Sequence, residues 1–568
     1  MTAATTGSEQ ICEALLRAGI ECAFGLPGTQ NVALYEALRT SRLRSVVATH
    51  ELSAAMMANG YYRASGRAAA LVTIPGPGFT WALTGIAEAS LDSAALLHLV
   101  GSPATAPGAH HQLQAIDQAA IARPLVRALH RIERAAEIAD IIEAAREDTL
   151  AGEPGPVLVH VARSVLDERV DIATPRAARP APRAVPESGA VEAIAQALRT
   201  ARRCVILAGQ GCSDASAALL RLADTLSAAV ITTTSGRGAI AEDHPLSLGL
   251  ELDSGSSETL NALVDAADVV LAIGCKFSHN GSRGFALRIA PEKLIHVDAS
   301  GDVLGANYPA RIAVRGDAGA FLDALLVAMG SAAHPGFDRA ELERFRERAK
   351  ARSTSVEPRV HGVPSGTAAE FFAILRSVLP REAILVTDSG LHQALARRYF
   401  RVLAPRGLIT PTNLQSMGFG IGAAIGACIA EPGRPVVAVV GDGGIAMSGL
   451  ELLTAVRERL RLVVVAFVDG AYGLIRMQQL STSGHAFATE FDPPDVAELA
   501  ATIGANYLRL EGDAQSVLRE ALAFDGVTLV EVGVGDSASV RWMRAKTLAR
   551  RGAGPRAGRW LRRLRGRR

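Results

Sequence analysis

What most limits the fold of this chain is a recurring unit: a short apolar run, a turn rich in glycine, then a stretch of helical periodicity. Between residues 8 and 168 the runs are CAFGLPG, VVATHE, AAALVTI, AALLHLVG and GPVLVHVA. CVILAGQG, AVITTTSGRG, DVVLAIG and KLIHVDAS carry the unit on to Gly316. AILVTDSG, PVVAVVGDGG, LVVVAFVDG and VTLVEVG carry it to Val534. A strand with one wet face alternates apolar and polar residues, whereas these runs are apolar throughout. They suit parallel strands covered by helices on both faces. The fold class is therefore α/β, with doubly wound parallel sheets.

A chain of 568 residues is too long for one core, and two polar stretches divide it. Thr174–Ser188 reads TPRAARPAPRAVPES, a stiff, solvated composition that cannot pack. The charged segment from Asp338 to Arg359 makes the second connection. Three domains result, at 1–172, 190–335 and 360–535, followed by a basic tail at 536–568. From Arg541 onward the tail is dense in arginine and holds two tryptophans. It reads as a solvated or loosely helical segment; contact with acidic lipid, a partner or nucleic acid is the alternative, and its partner is unassigned.

The formal net charge of +2 gives no broad attraction to nucleic acid or membrane. Six scattered cysteines without a CxxC spacing argue against a disulfide framework or a zinc site. The first residues lack a basic and apolar leader, so no signal peptide is expected and the cytoplasm is the expected location. The longest apolar stretch, Met417 to Ala430, is too short and too rich in glycine to span a bilayer. A buried helix of small residues is expected there.

The sharpest chemical signal is PVVAVVGDGGIAMSGLELLTAVRERLRLVVVAFVDGAYGLIR. Gly441-Asp442-Gly443-Gly444 ends one apolar strand, and its glycines let the backbone approach an anion closely. Asp469-Gly470 ends the next strand, 27 positions after Asp442. One helix between parallel neighbours puts the two loops side by side. Both carboxylates can then meet on one hard cation that also binds phosphate oxygens.

With these segments the chain resembles the thiamine-diphosphate enzymes of the acetolactate synthase and pyruvate decarboxylase type. The resemblance covers residues 8 to 535 and implies pyrimidine-binding, central and diphosphate-binding domains. It implies Mg2+ held by Asp442, Asp469 and the carbonyl of Ala471, although the family has asparagine where this chain has Asp469. It places Gly441, Gly443 and Gly444, with Tyr472 and Gly473, against the cofactor. The family's HE, GYARASG and GPG elements are matched by His50-Glu51, GYYRASG and Pro75–Gly78. Glu51 would then be the catalytic acid at the aminopyrimidine, favouring the imino tautomer that removes the thiazolium proton. Met417 would bend the cofactor, with Gly390, His392 and Gln393 beside the diphosphate and Pro27 and Gly28 in the GLPGT turn. Gln114 falls on a substrate-facing glutamine and His111 on a candidate proton shuttle.

The resemblance further implies an active site between subunits, hence a homodimer or homotetramer. The implied reaction is decarboxylation of a 2-keto acid to a C2 carbanion or enamine, followed by ligation to an acceptor. Departures put the branched-chain biosynthetic role and its FAD in doubt. Leu113 replaces a phenylalanine, Gln478 replaces an acceptor-pocket tryptophan, and GCKFSHNGSRG lacks the acidic pair of GARFDDR. A simple 2-keto acid decarboxylase or aldehyde lyase is the alternative. A non-catalytic, cofactor-binding paralogue serving as regulatory or scaffold subunit is the alternative of another class. No GxGxxG, GxxxxGK or GxSxG fingerprint supports a nucleotide-dependent protein or a hydrolase.

Overall fold

The computed structural model describes residues 5–102, 110–170, 183–250, 257–330, 334–351 and 357–552. The apolar runs become strands of three sheets. In the first sheet the spatial order is Arg44–Val47, Cys22–Gly25, Ala69–Thr73, Leu96–Gly101, Pro156–Val161, Ala128–Ile132, all parallel. Numbered by appearance, that order is 2-1-3-4-6-5.

The third sheet repeats it. Leu408–Ile409, Ile384–Thr387, Val436–Gly441, Leu462–Val468, Val527–Gly535 and Asn506–Arg509 lie in the same order, again all parallel. The short strand Arg359–Val360 adds antiparallel to Val527–Gly535. The central sheet differs. Its six parallel strands run Ser247–Leu250, Ala229–Thr232, Cys204–Ala208, Val269–Ile273, Leu294–Asp298, Ile312–Arg315, an order of 3-2-1-4-5-6.

The first and third domains share one core, and the central domain has its own. The shared core is built on two helices, Glu51–Ser65 and Phe419–Ala430. Small residues let them touch backbone to backbone. A Cβ on Gly60 would stand 2.1 Å from the Ala423 carbonyl oxygen, and one on Gly426 would stand 2.0 Å from that of Met57. Every residue of Phe419–Ala430 is buried, so this apolar stretch is an interdomain helix. Among the described residues no helix is long and apolar enough to cross a membrane.

Residues 171–182 of the proline-rich stretch lie outside the described residues, as do 553–568 of the tail. The charged connection and the start of the tail both carry helices. Arg339–Ala351 occupies the charged connection. Ala538–Gly552 starts the tail and is seated by apolar contacts that its arginine content hides: Val540 is buried, and Leu548 lies over Gly484.

Candidate active site

Doubly wound sheets bind ligands outside the C-terminal ends of their strands, where the strand order reverses. In the third domain that place lies between Ile384–Thr387 and Val436–Gly441, and a cavity opens there. Gly390, His392, Met417, Asp442, Asp469 and Tyr472 wall it. The Asp442 carboxylate, almost fully buried, bridges two loops. Its Oδ1 accepts from Gly443 N at 2.8 Å, while Oδ2 accepts from Asp469 N at 3.0 Å and Gly470 N at 2.7 Å. Asp469 Oδ1 accepts in turn from Ala471 N at 3.2 Å.

Burial raises the Asp442 carboxyl above its ordinary range. Burial first, and then the Asp442 charge, push Asp469 up to about 7. A buried acid beside a half-buried one whose ionisation it disfavours makes a ready seat for a hard cation. No group of three or more His, Cys, Asp or Glu side chains is placed to hold a metal among the described residues. A cation here would complete its shell with main-chain oxygen, for which Ala471 stands in the cavity wall, and with oxygens of a ligand.

The glycines are sterically required. A Cβ on Gly444 would lie 2.3 Å from Asp388 Oδ2, and one on Gly473 would lie 2.5 Å from Asp469 Oδ2. One on Gly443 would meet Tyr472 Cε1 at 3.0 Å and Met417 Cε at 3.2 Å. Gly441 adjoins the His392 ring, whose Nε2 is buried with no hydrogen-bond partner among the described residues. An orphaned imidazole nitrogen facing a glycine-lined cavity is a group waiting for a polar ligand.

The first domain assembles a second cluster at its own switch point. Glu51 opens its helix behind His50, whose Nδ1 accepts from Leu52 N at 3.0 Å and whose ring stacks on Trp81 at 4.1 Å. A Cβ on Gly78 would stand 2.7 Å from Ile74 Cγ1 and 3.0 Å from Glu51 Oε1. Gly28 presses on Ile74 of the same turn, and Gly76 presses on Gln114. Pro27–Gly28, Ile74–Gly78, Glu51 and Gln114 thus share one end of the first sheet. None of the first-domain residues walls the Asp442 cavity.

The comparisons with known proteins match three stretches of the chain, one in each of the three sheet domains. Residues 5–121 match the thiamine pyrophosphate enzyme N-terminal TPP binding domain, 191–325 the central domain, and 388–532 the C-terminal TPP binding domain. A probable acetolactate synthase large subunit of Methanocaldococcus jannaschii is 32% identical over 93% of this chain and 91% of its own length. This chain belongs to the thiamine pyrophosphate enzymes, of the acetolactate synthase and pyruvate decarboxylase type. A probable 2-ketoarginine decarboxylase of Pseudomonas aeruginosa is 31% identical, covering 93% of this chain and 94% of its own. The acetolactate synthase isozyme 1 large subunit of Escherichia coli is 28% identical over 93% and 94%.

Within this thiamine pyrophosphate enzyme most of the expected residues gather in the two clusters, and some do not. Gln393 stands apart from the cavity, its amide donating to Thr410 Oγ1 at 2.9 Å and to the Pro411 carbonyl at 2.7 Å. His111 is exposed on a loop where it and Gln114 both take positive φ, 55° and 61°. Gln114 Oε1 is buried without a partner among the described residues. Gln478 is exposed on the helix Gly473–Thr482.

Sequence reasoning missed Asp388, which accepts from Gly418 N at 3.0 Å and Phe419 N at 3.2 Å and so fixes the turn carrying Met417. It also missed two glutamates buried between the domains, Glu88 and Glu451. Each is the only acid in its helix or helical turn, PGFTWALTGIAEASL and GLE, and isolation among small apolar residues was the available signal.

The central domain has the strand order in which dinucleotides commonly bind. Its first turn reads Gly209-Gln210-Gly211 but carries Asp214 where the third fingerprint glycine would stand, and Asp214 pairs with Arg406 at 2.8 Å.

Proposed function

We propose that the protein is a Mg2+-dependent thiamine-diphosphate enzyme that decarboxylates a 2-keto acid and ligates the remaining fragment to a carbonyl acceptor. The observation that carries this reading is the Asp442–Asp469 pair closing on a glycine cradle. Met417, Tyr472 and the unpartnered His392 Nε2 border that cradle. The residues present fit the group. Asp442, Asp469 and the Ala471 carbonyl would hold the cation; Gly441, Gly443, Gly444 and Gly473 leave room for the diphosphate; Gly390 and His392 would flank it.

When bound, thiamine diphosphate supplies an acidic ring carbon that adds to the keto group and stores the electron pair left by decarboxylation. Glu51 presents a carboxyl group that would hold a proton at the cofactor's pyrimidine ring. Met417, fixed on both sides by hydrogen bonds, sets the shape of the space between the two clusters. Gln114, with its unpaired Oε1, offers a polar contact to a substrate on the Glu51 side.

Because Glu51 and Asp442 stand in separate clusters of one chain, we assign the complete site to two copies, with Glu51 from one and Asp442 from the other. Trp81, Met447 and Leu450, each more than half exposed, offer apolar surface for such a contact. The simple decarboxylase reading is favoured by one relative's name, 2-ketoarginine decarboxylase, and by Gln478 in place of an acceptor-pocket tryptophan.

The test follows carbon dioxide and products together, with purified protein, cofactor, Mg2+ and a panel of 2-keto acids with and without aldehydes. Carbon dioxide with a ligated product supports the proposal, and carbon dioxide with free aldehyde selects the decarboxylase. Tight cofactor binding with no turnover on any donor would point to the non-catalytic paralogue.

A further inference from the structure

Two buried glutamates cross the seam between the first and third domains in opposite directions. Glu88 lies on Pro77–Leu91, the helix after the third strand of the first domain. Its Oε2 accepts from Ser416 N at 2.9 Å and from the Ser416 hydroxyl, so it grips the residue beside Met417. Glu451 lies in the helical segment after the third strand of the third domain. Its carboxylate accepts from Thr49 N at 3.0 Å and from the Thr49 hydroxyl, two positions before Glu51. In each case an acid from one domain's third unit holds the loop after the other domain's second strand. The strand order 2-1-3-4-6-5 is common to both domains, so the two contacts are related as the domains are.

Neighbouring groups reinforce each grip. Asp92 accepts from Thr412 N at 3.2 Å and pairs with Arg63 at 2.9 Å, and Arg63 donates to the Thr410 carbonyl at 2.6 Å. On the other side Thr454 donates to Glu451 at 2.7 Å, and Arg457 donates to the Val47 carbonyl. Burial and the Asp92 charge push Glu88 up to about 7. Among the described residues its Oε1 has no partner, and its hydrogen bonds go to Ser416. Neither glutamate reaches the Asp442 cavity wall.

We propose that Glu88 and Glu451 are reciprocal positioning residues: Glu88 sets the Met417 turn, and Glu451 sets the Glu51 turn. The inference rests on the roles given above to Glu51 and Met417. It predicts that the two glutamates control different properties of the holoenzyme. Displacing Glu51 slows release of the acidic ring proton, whereas displacing Met417 changes the conformation and affinity of the bound cofactor. A side chain that merely filled the seam would affect both alike.

The experiment uses full-length protein with thiamine diphosphate and Mg2+, and measures three things on each variant. These are deuterium exchange of the cofactor's ring proton, near-ultraviolet circular dichroism of bound cofactor, and the cofactor Kd. Glu51→Gln and Met417→Ala are the references, Glu451→Ala and Glu88→Ala the tests. Thr49→Val and Ser416→Ala remove only the partner hydroxyls, and keep the test open where a glutamate variant fails to fold.

A sub-ångström to ångström displacement costs up to ~100-fold in rate, so Glu451→Ala and Thr49→Val should slow exchange at least about 5-fold with Kd within about 2-fold. Glu88→Ala and Ser416→Ala should alter the dichroism and raise Kd about 3-fold or more, with exchange less affected. Glu88→Gln, which keeps an acceptor oxygen for Ser416, should restore both. If Glu51→Gln or Met417→Ala leaves its own readout unchanged, the underlying roles are wrong. If both references respond but the four seam variants match wild type, or move both readouts in parallel with the melting temperature, the reciprocal assignment is overturned.

Discussion

The first and third domains are one strand order used twice, and the differences that bear on the site lie in the loops at the C-terminal ends of the strands. After the second strand, the first domain begins its helix with His50-Glu51, while the third begins its helix behind Met417-Gly418. After the third strand, the first domain has the uncharged turn Pro75–Gly78, while the third has Gly441–Gly444 with Asp442 inside it. Each domain thus carries acid where its counterpart carries none. The framework fixes where a loop points; under the proposed function, loop chemistry decides whether that end handles a proton or an anion with its metal.

The comparison breaks most sharply when the acids are removed one at a time. Glu51→Gln should lose about 100-fold to 10,000-fold in turnover while still binding cofactor, because it removes acid–base function and leaves the anion cradle intact. Asp442→Ala should instead lose cofactor and metal affinity, measured by titration of Mg2+ and thiamine diphosphate. Equal effects of both variants on affinity would erase the distinction.

Gly426→Ala tests the seam that makes the two domains one body. Its Cβ would stand 2.0 Å from the Met57 carbonyl oxygen, and backbone cannot yield as a side chain can. A loss of about 3 kcal/mol or more is expected from overpacking. The first and third domains should melt together at lower temperature in a thermal scan.

The domains should also diverge in their pH dependence. His98, buried in the first domain, is pushed down to about 3 by burial and then by His160. Its folded value lies below the ordinary 6.5, so its contribution is complete above that pH and lost as pH falls toward 3. Asp388, buried in the third domain, is pushed up to about 6 from 3.8 by burial. Its contribution is complete below 3.8 and lost as pH rises through 6, on the order of 2–3 kcal/mol. In melting temperatures taken from pH 4 to 8, His98→Asn should flatten the acid limb and Asp388→Asn the upper one.

The smallest effect is expected from Asp469→Asn. It keeps an oxygen ligand and removes one of two crowded charges, so Kd for cofactor with Mg2+ should stay within about 5-fold of wild type. A far larger loss would mean that the carboxylate charge itself is needed.

The strands and the glycine turns were legible in the sequence because short apolar runs and steric necessity leave few alternatives. The Asp442–Asp469 pairing was legible from spacing alone, and the Glu51 cluster only through resemblance, since an acid opening a helix is commonplace. The repeated order of the first and third sheets was not legible, because strand order depends on long-range pairing. Nor were the grips of Glu88 and Glu451, whose partners lie 328 and 402 positions away. The helix Ala538–Gly552 was legible only as a loosely helical alternative, since its seat is Val540 and Leu548 among many arginines.

The central claim is that Glu51 and Asp442 complete one site from two different chains. Mixing Glu51→Gln protein with Asp442→Ala protein, after dissociation and reassembly, tests it most directly. Hybrid dimers would contain one site with both native residues, so random mixing should restore about a quarter of wild-type turnover. Turnover that stays at the level of the separate variants, with exchange of chains verified, would place the whole site within one chain and contradict the account.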